Sequence, residues 1–198
     1  AWDIRPWDEN AQSTFLTQWA KRDFGPEYAE EITAIMNEYY ALNYRIHPEH
    51  LAIAEPLKTP EDVQRRLDSF NALVIRANAL NDKLPQDARD SYYQLVLYPV
   101  RCSALMNVKW LTPSLEKAQA AHQAILDETT WYNEKMSNGK WRHMMSANIR
   151  NRPVYRPRLS QKEEAAPPAE NAAEKPVVVQ RIHIEAEEPS EKSGEGWK

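Results

Sequence analysis

The clearest hydrophobic pattern in the chain covers residues 84–111, where apolar positions recur at helical spacing. One stripe comprises Ala88, Tyr92, Leu95, Pro99, Ser103, Met106 and Trp110, and a second stripe beside it comprises Tyr93, Leu97, Val100, Ala104 and Val108. A helix that is apolar on most of its circumference is normally buried among other helices. The pattern therefore predicts the central helix of a bundle, with its aromatic and methionine side chains packed in the core and not in contact with a cofactor. Pro99 removes one backbone hydrogen bond, so we expect a kink near Leu95.

Four further helices are predicted from amphipathic stretches that begin at residues typical of helix starts. The first carries its apolar face over residues 15–20, and the second opens at Pro26. The third and fifth open at the sequences TP (59–60) and TPS (112–114), where a capping hydroxyl stands beside a proline. Capping hydroxyls and prolines in the first turn are typical of helix N-termini. The sequence therefore predicts a mainly α fold, an antiparallel bundle of about five helices.

The ends of these helices are also marked. Gly25 should end the first helix, and Asn138-Gly139 should end the fifth, because glycine is the usual residue at the left-handed position after a helix. Trp2 and Trp7 precede the first helix and should pack back against its start.

The long connection over residues 46–58 contains His47, Glu49 and His50, which suggests metal ligands. The spacing differs from that of zinc proteases, where two histidines lie one helical turn apart, and Pro48 disfavours a regular helix. We therefore predict solvated loop histidines, and we expect no metal or other cofactor in the chain. The single cysteine, Cys102, excludes a disulfide framework and is predicted to be a small buried side chain.

Composition divides the 198 residues into three parts. Residues 1–160 form the predicted bundle domain, 161–176 a charged linker rich in proline and alanine, and 177–198 the first strand of a truncated following domain. Only four glycines occur in the chain, which suits helices better than a sandwich with many turns. The net charge of −4 and the lack of a long apolar run predict neither a nucleic-acid partner nor a membrane segment. Both ends look cut, and we expect a fragment of a longer protein.

The basic stretch over residues 138–158 is the strongest candidate for chemistry. It contains no acidic residue, and its cations are Lys140, Arg142, Arg150, Arg152, Arg156 and Arg158, interleaved with Trp141, His143 and Tyr155. Such a set could bind a carboxylate, a phosphate or an acidic partner. The alternative, favoured by composition alone, is a surface loop whose charges pair with carboxylates of neighbouring helices. The acidic pairs at 30–31 and 127–128 are predicted to lie on solvated helix faces.

Four separated motifs, taken in order, resemble a known family. They are FGPEYAEEI (24–32), YYQLVLYPV (92–100), NGKW (138–141) with HMM (143–145), and IEAE (184–187). In this order and spacing they resemble the C-terminal half of glycoside hydrolase family 115, the xylan α-1,2-glucuronidases. The likeness extends over most of the chain.

The resemblance implies a large, secreted or periplasmic, multidomain enzyme that removes glucuronic acid or its 4-O-methyl ether from glucuronoxylan by inversion. Its catalytic carboxylates would lie in an upstream (β/α)8 barrel, followed by a helical bundle and a β-sandwich. This chain would be the bundle and the first strand of the sandwich, would carry no catalytic residue, and could take part in a homodimer. Lys140, Trp141, Arg142 and His143 would lie at a domain interface or at the edge of the substrate cleft.

A second hypothesis is a stand-alone helical interaction module that binds an acidic partner through the basic stretch over residues 140–158. Purely ionic binding of this kind should weaken steeply with salt. Binding to nucleic acid is less favoured because the chain as a whole is acidic.

Overall fold

The computed structural model describes residues 9–52, 57 and 59–159, with side chains from residue 14 onward. Within these ranges the fold is mainly α, as predicted, with five helices and no strand. They are α1 (Glu9–Phe24), α2 (Pro26–Arg45), α3 (Pro60–Lys83), α4 (Gln86–Tyr92, continued through Tyr93–Leu97 into Tyr98–Leu111) and α5 (Leu115–Glu134). Short 3₁₀ turns occur at Pro48–His50, Met136–Gly139, Ile149–Asn151 and Pro153–Tyr155. The predictions for Trp2 and Trp7, for the linker at 161–176 and for the strand at 177–198 lie outside the described residues.

The predicted helix starts are confirmed. The hydroxyl of Thr59 accepts the backbone N–H of Asp62 at 3.1 Å, and the hydroxyl of Ser114 accepts that of Lys117 at 3.2 Å. Gly25 joins α1 to α2 with φ of +97°, a left-handed conformation that strains residues with a side chain.

Pro99 alters helix α4 near Leu95, as predicted, but the result is a π turn and not a simple kink. Tyr93–Leu97 forms a π turn, in which the N–H of Tyr98 bonds to the carbonyl of Tyr93 five residues earlier. Because Pro99 has no N–H for the carbonyl of Leu95, the helix widens by one residue there and then continues to Leu111.

The central position predicted for α4 is confirmed. α3 and α5 both pack on α4, while α2 packs on α3 and α1 on α2. The larger core joins Val96 and Val100 of α4 to Ile32 and Ile35 of α2, all fully buried. None of the described helices is long and apolar enough to cross a membrane.

A smaller core lies where the segment after α5 returns to the C-terminal end of α4. It contains Met106, Ile125 and Val154, all buried. The backbone carbonyl of Val154 accepts a hydrogen bond at 3.0 Å from the Lys109 amine and another at 3.0 Å from the Trp110 indole. Lys109 is therefore fully buried, although its charge alone would predict a surface position.

Candidate functional site

The four site residues predicted from the sequence lie in the turns that follow α5. Trp141 is half-buried and packs against the larger core, and the Lys140 amine lies 4.9 Å from the centroid of its ring. Arg142 and His143 are exposed, and His143 has a φ of +65°. The structure thus places Lys140 and Trp141 in contact and leaves the other two in solvent. The role of all four stays a prediction.

Two side chains from the helices hold these turns in place. The Asp90 carboxylate of α4 accepts the N–H of Ser137 at 3.0 Å and its hydroxyl at 2.8 Å. The Asn133 amide of α5 bonds to both the N–H and the carbonyl of Met145, each at 2.9 Å. Helix α5 ends at Glu134, four residues before the stop predicted at Asn138-Gly139. The three residues at 137–139 all have positive φ, which turns the chain sharply.

The structure separates the basic stretch into two groups with different roles. Arg158 is buried and donates to the carbonyl of Thr112 at 2.6 Å, just past the end of α4, so it caps a helix and does not present its charge to solvent. Arg156 folds back on Asn151. The other cations, Lys140, Arg142, Arg150 and Arg152, are exposed, and in the described part of the chain none of them lies within ion-pair distance of a carboxylate.

The predicted loop histidines are exposed. His47 and His50 stack with ring centroids 5.6 Å apart, and the Nδ1 atom of His47 lies 3.6 Å from the Glu49 carboxylate. No three potential metal ligands of the described residues lie close enough together to bind an ion. Burial raises the pKa of the Cys102 thiol to about 12, so this thiol stays protonated at neutral pH.

The sequence did not predict a groove on the outer face of α4, between α3 and α5. We call it the Trp131 groove, and its volume is about 550 Å³. Its lining residues are Asn81, Gln86, Arg89, Asp90, Tyr93, Leu97, Arg101, Ala124, Asp127, Glu128 and Trp131. Because α3 and α5 flank α4 without closing over it, the groove is open to solvent.

A hydrogen-bonded network forms the floor of this groove. Glu128 accepts the Tyr93 hydroxyl at 2.6 Å through one oxygen and the Arg101 guanidinium at 3.0 Å through the other. Arg101 also donates twice to the Asn78 side chain. The prediction that 127–128 is a solvated face is therefore wrong for Glu128, whose side chain is only 21% exposed, and right for Asp127, which is exposed. With both oxygens engaged, Glu128 is suited to holding the floor rigid rather than to proton transfer.

An aromatic wall borders the network. The Trp131 side chain is 41% exposed, and its ring centroid lies 4.2 Å from that of Tyr93. Burial, and then the hydrogen bond to Glu128, raise the pKa of the Tyr93 hydroxyl far above its usual range, so Tyr93 is a permanent neutral donor. The groove thus offers a fixed indole face beside carboxylate, amide and guanidinium groups.

Helical spacing could have identified part of this groove. Tyr93, Leu97 and Arg101 follow one another at single-turn intervals on α4, and Asp127 and Trp131 do so on α5. Spacing within one helix does not show which helix lies opposite it, so the pairing of Arg101 with Glu128 was not predictable.

The comparisons with known proteins follow from this fold. The family model described as glycosyl hydrolase family 115 matches residues 1–50. The solved structure of BtGH115A, described as a novel family GH115 4-O-methyl-α-glucuronidase with specificity for decorated arabinogalactans, superposes with a TM-score of 0.66 and 28% identity. The match covers 76% of this chain and 23% of that chain. No curated protein matches the sequence.

These findings agree with the resemblance seen in the sequence motifs. The chain is thus similar to glycoside hydrolase family 115 in sequence over residues 1–50, and to a solved member of that family in fold over about three quarters of its length. It spans about a quarter of the length of the solved chain that it matches.

Proposed function

We propose that this chain is the non-catalytic helical part of a glucuronidase-type glycoside hydrolase, in which it supports a catalytic domain encoded elsewhere in the same protein. The observation that carries the proposal is the match to BtGH115A, which extends over three quarters of this chain at 28% identity. By the family resemblance, the reaction is the removal of glucuronic acid or its 4-O-methyl ether from a polysaccharide by inversion. That chemistry needs two carboxyl groups placed across the scissile bond.

Exposed apolar side chains favour the supporting role. Tyr44 is 85% exposed, Tyr40 lies one turn before it on α2, and Phe15 of α1 and Ile75 of α3 are also more than half exposed. Contiguous exposed apolar groups often mark contacts with another domain or another chain, and Tyr40 and Tyr44 lie on one face of α2. We assign this pair to a contact with the neighbouring barrel domain of the parent enzyme, with a second copy of the chain as the alternative partner.

The identity of the polysaccharide needs a direct test, because the family resemblance points to glucuronoxylan whereas BtGH115A is described as specific for decorated arabinogalactans. The parent enzyme should be incubated separately with 4-O-methylglucuronoxylan and with glucuronidated arabinogalactan, and the released uronic acids measured by anion-exchange chromatography. Release from either polymer supports the proposal. Absence of release from both contradicts it.

The role of the turn after α5 is tested with Trp141→Ala in the parent enzyme. Because Trp141 packs on the larger core at the predicted domain interface, this change should lower either the thermal stability or the activity on the polymer. Arg150→Ala is the matched control, since Arg150 is exposed and has no carboxylate partner in the described part of the chain. If Trp141→Ala leaves both quantities unchanged, the turn has no supporting role.

The alternative function is an interaction module, which the four exposed cations of the basic stretch favour. The probe is a poly-glutamate peptide titrated against the chain at increasing salt. Binding that falls steeply between 50 and 300 mM salt, roughly the range over which the screening length shortens by half or more, would support an acidic partner. Lack of binding at low salt would exclude it.

A further inference from the structure

We propose that the Trp131 groove binds a neutral pyranose of the polysaccharide backbone. The inference rests on the proposed function for the class of ligand, but its geometry comes from the groove alone. It identifies Trp131 as the stacking platform and Asp127, Asn81 and Gln86 as hydroxyl-binding groups.

The platform is an indole ring that is exposed and yet fixed. Trp131 packs on Tyr93 with ring centroids 4.2 Å apart, and Tyr93 is in turn held by its hydrogen bond to Glu128. Such a ring presents a large apolar surface at little cost in conformational entropy. The axial C–H groups on one face of a pyranose ring form a matching apolar surface, while its hydroxyls project around the edge.

The edge of the groove carries groups that bind hydroxyls. Asp127 is exposed, and one of its oxygens accepts only the side-chain amide of Gln123, at 2.9 Å. Asn81 and Gln86 line the groove on the α3 side and each offer a donor and an acceptor. A cavity with an apolar surface and a few polar groups of this kind is typical of small-molecule sites.

The charge of the groove favours a neutral sugar over a uronic acid. Its three carboxylates, Asp90, Asp127 and Glu128, outnumber its two guanidinium groups. Arg101 is already paired with Glu128. Arg89 directs two of its nitrogens to the backbone carbonyls of Leu84 and Asp82, each at 3.0 Å. A uronate would therefore meet uncompensated negative charge, which disfavours its binding.

A second cavity extends the site along α4. It has a volume of about 440 Å³ and lies on the α3 side of the ion pair between Arg101 and Glu128, two residues that also line the first cavity. Its other lining groups are mostly apolar, including Leu67, Phe70 and Val108. Two cavities joined at one ion pair suit consecutive sugars of a chain better than a single monosaccharide.

The test is titration of the parent enzyme with xylohexaose and, separately, with a β-1,6-linked galactan oligosaccharide, followed by calorimetry and tryptophan fluorescence. We expect binding of at least one neutral glycan, and weaker binding of hexagalacturonate. Trp131→Ala should weaken the neutral glycan by at least about tenfold, because it removes the stacking surface. Thr130→Ala, which changes the exposed residue next to Trp131 on α5 and outside the groove, should leave the affinity unchanged.

Asp127→Ala is the second variant in case Trp131→Ala disturbs packing on Tyr93. It should weaken binding by about threefold to tenfold, as expected for the loss of one hydrogen bond made by a solvent-exposed group. The inference is overturned if neither neutral glycan binds, if both groove variants bind like the unaltered enzyme, or if hexagalacturonate binds more tightly than the neutral glycans.

Hydrolysis of a small aryl glucuronide separates this inference from the proposed function. Such a substrate has no polysaccharide backbone to occupy the groove, so Trp131→Ala should leave its rate unchanged. Hydrolysis without glycan binding at the groove would retain the enzyme assignment and overturn the inference. Glycan binding that depends on Trp131, without release of uronic acid from any substrate, would retain the inference about the groove and overturn the enzyme assignment.

Discussion

Arg66 is a buried cation that joins α2 and α4 through α3. It is 6% exposed and donates to the Asn107 side chain at 2.6 Å, to the carbonyl of Leu42 at 2.8 Å and to that of Ile46 at 3.0 Å. The two carbonyls lie at the C-terminal end of α2, where the helix itself provides no donors. The planar guanidinium fork satisfies all three acceptors at once.

Arg66→Ala should therefore be among the most destabilising single changes in the chain. Three acceptors, two of them buried, would lose their donor and a cavity would remain, so we expect a loss of about 3–5 kcal/mol in the free energy of unfolding. Urea denaturation measures this loss. Arg65→Ala is the control, because Arg65 is exposed and pairs with Asp62 at 3.1 Å, an arrangement typically worth less than about 1 kcal/mol. Equal losses in the two variants would contradict the role of Arg66.

Lys109 gives the fold a predictable pH dependence. Burial lowers the pKa of its amine to about 8, whereas a lysine in the unfolded chain titrates at about 10.4. Between these values the unfolded chain holds a proton that the folded chain has released, so stability rises with pH. The contribution of Lys109 should increase by roughly 2 kcal/mol from pH 8 to pH 10.

The measurement compares the unaltered chain with Lys109→Met, which keeps the length and apolar contacts of the side chain. The carbonyl of Val154 retains its bond from Trp110 in this variant. The Cys102 thiol and the buried tyrosines titrate in both proteins, so taking the difference in unfolding free energy removes their effect. A difference that does not change over pH 8–10 would show that Lys109 titrates normally.

At the scale of elements, two helix starts are stabilised by hydrogen bonds within their own first turns. Thr59 and Ser114 each accept one of the otherwise unpaired N–H groups in the first turn of a helix. Both contacts are local, between residues three apart in sequence. They were predictable for that reason.

Thr59→Ala and Ser114→Ala should each cost about 1 kcal/mol in the free energy of unfolding, the typical value for loss of a cap. Thr59→Asp should restore most of the stability, because a carboxylate also accepts the N–H of the third residue and favours the positive end of the helix dipole. Ser91→Ala serves as the control, since Ser91 is exposed within α4 and should tolerate alanine with little change. Thermal denaturation distinguishes these outcomes.

On the scale of the whole molecule, α4 is the element around which the others pack. It has α3 and α5 on its flanks, and its Tyr92, Val96 and Val100 are buried in the larger core. The Tyr92 hydroxyl also donates to the carbonyl of Ala77 in α3 at 3.0 Å. Loss of α4 would expose the apolar faces of its neighbours.

Native-state hydrogen exchange should therefore be slowest for amides of α4 between residues 96 and 108, which open only with global unfolding. Amides of α1 should exchange faster, because α1 packs mainly on α2. Mass spectrometry of peptic peptides from the two helices provides the comparison. Protection of α1 equal to that of α4 would indicate that the bundle opens as one cooperative unit.

Sequence reasoning identified the starts of α2, α3 and α5 from local signals, and it identified α4 as central from its apolar circumference. It misjudged two charged residues. Arg158 and Glu128 were expected at the surface, but each has a partner distant in sequence, Thr112 for Arg158 and Arg101 for Glu128. Charge predicts exposure only where the tertiary structure supplies no partner.

The sequence by itself determined the class of fold, the order of the helices and the family motifs, because caps, prolines and helical periodicity act over a few residues. Only the tertiary structure decided which helix faces meet, and hence the ion pair of Arg101 with Glu128 and the groove beside Trp131. Packing between elements depends on side chains far apart in the chain, and a one-dimensional pattern contains no measure of their distance.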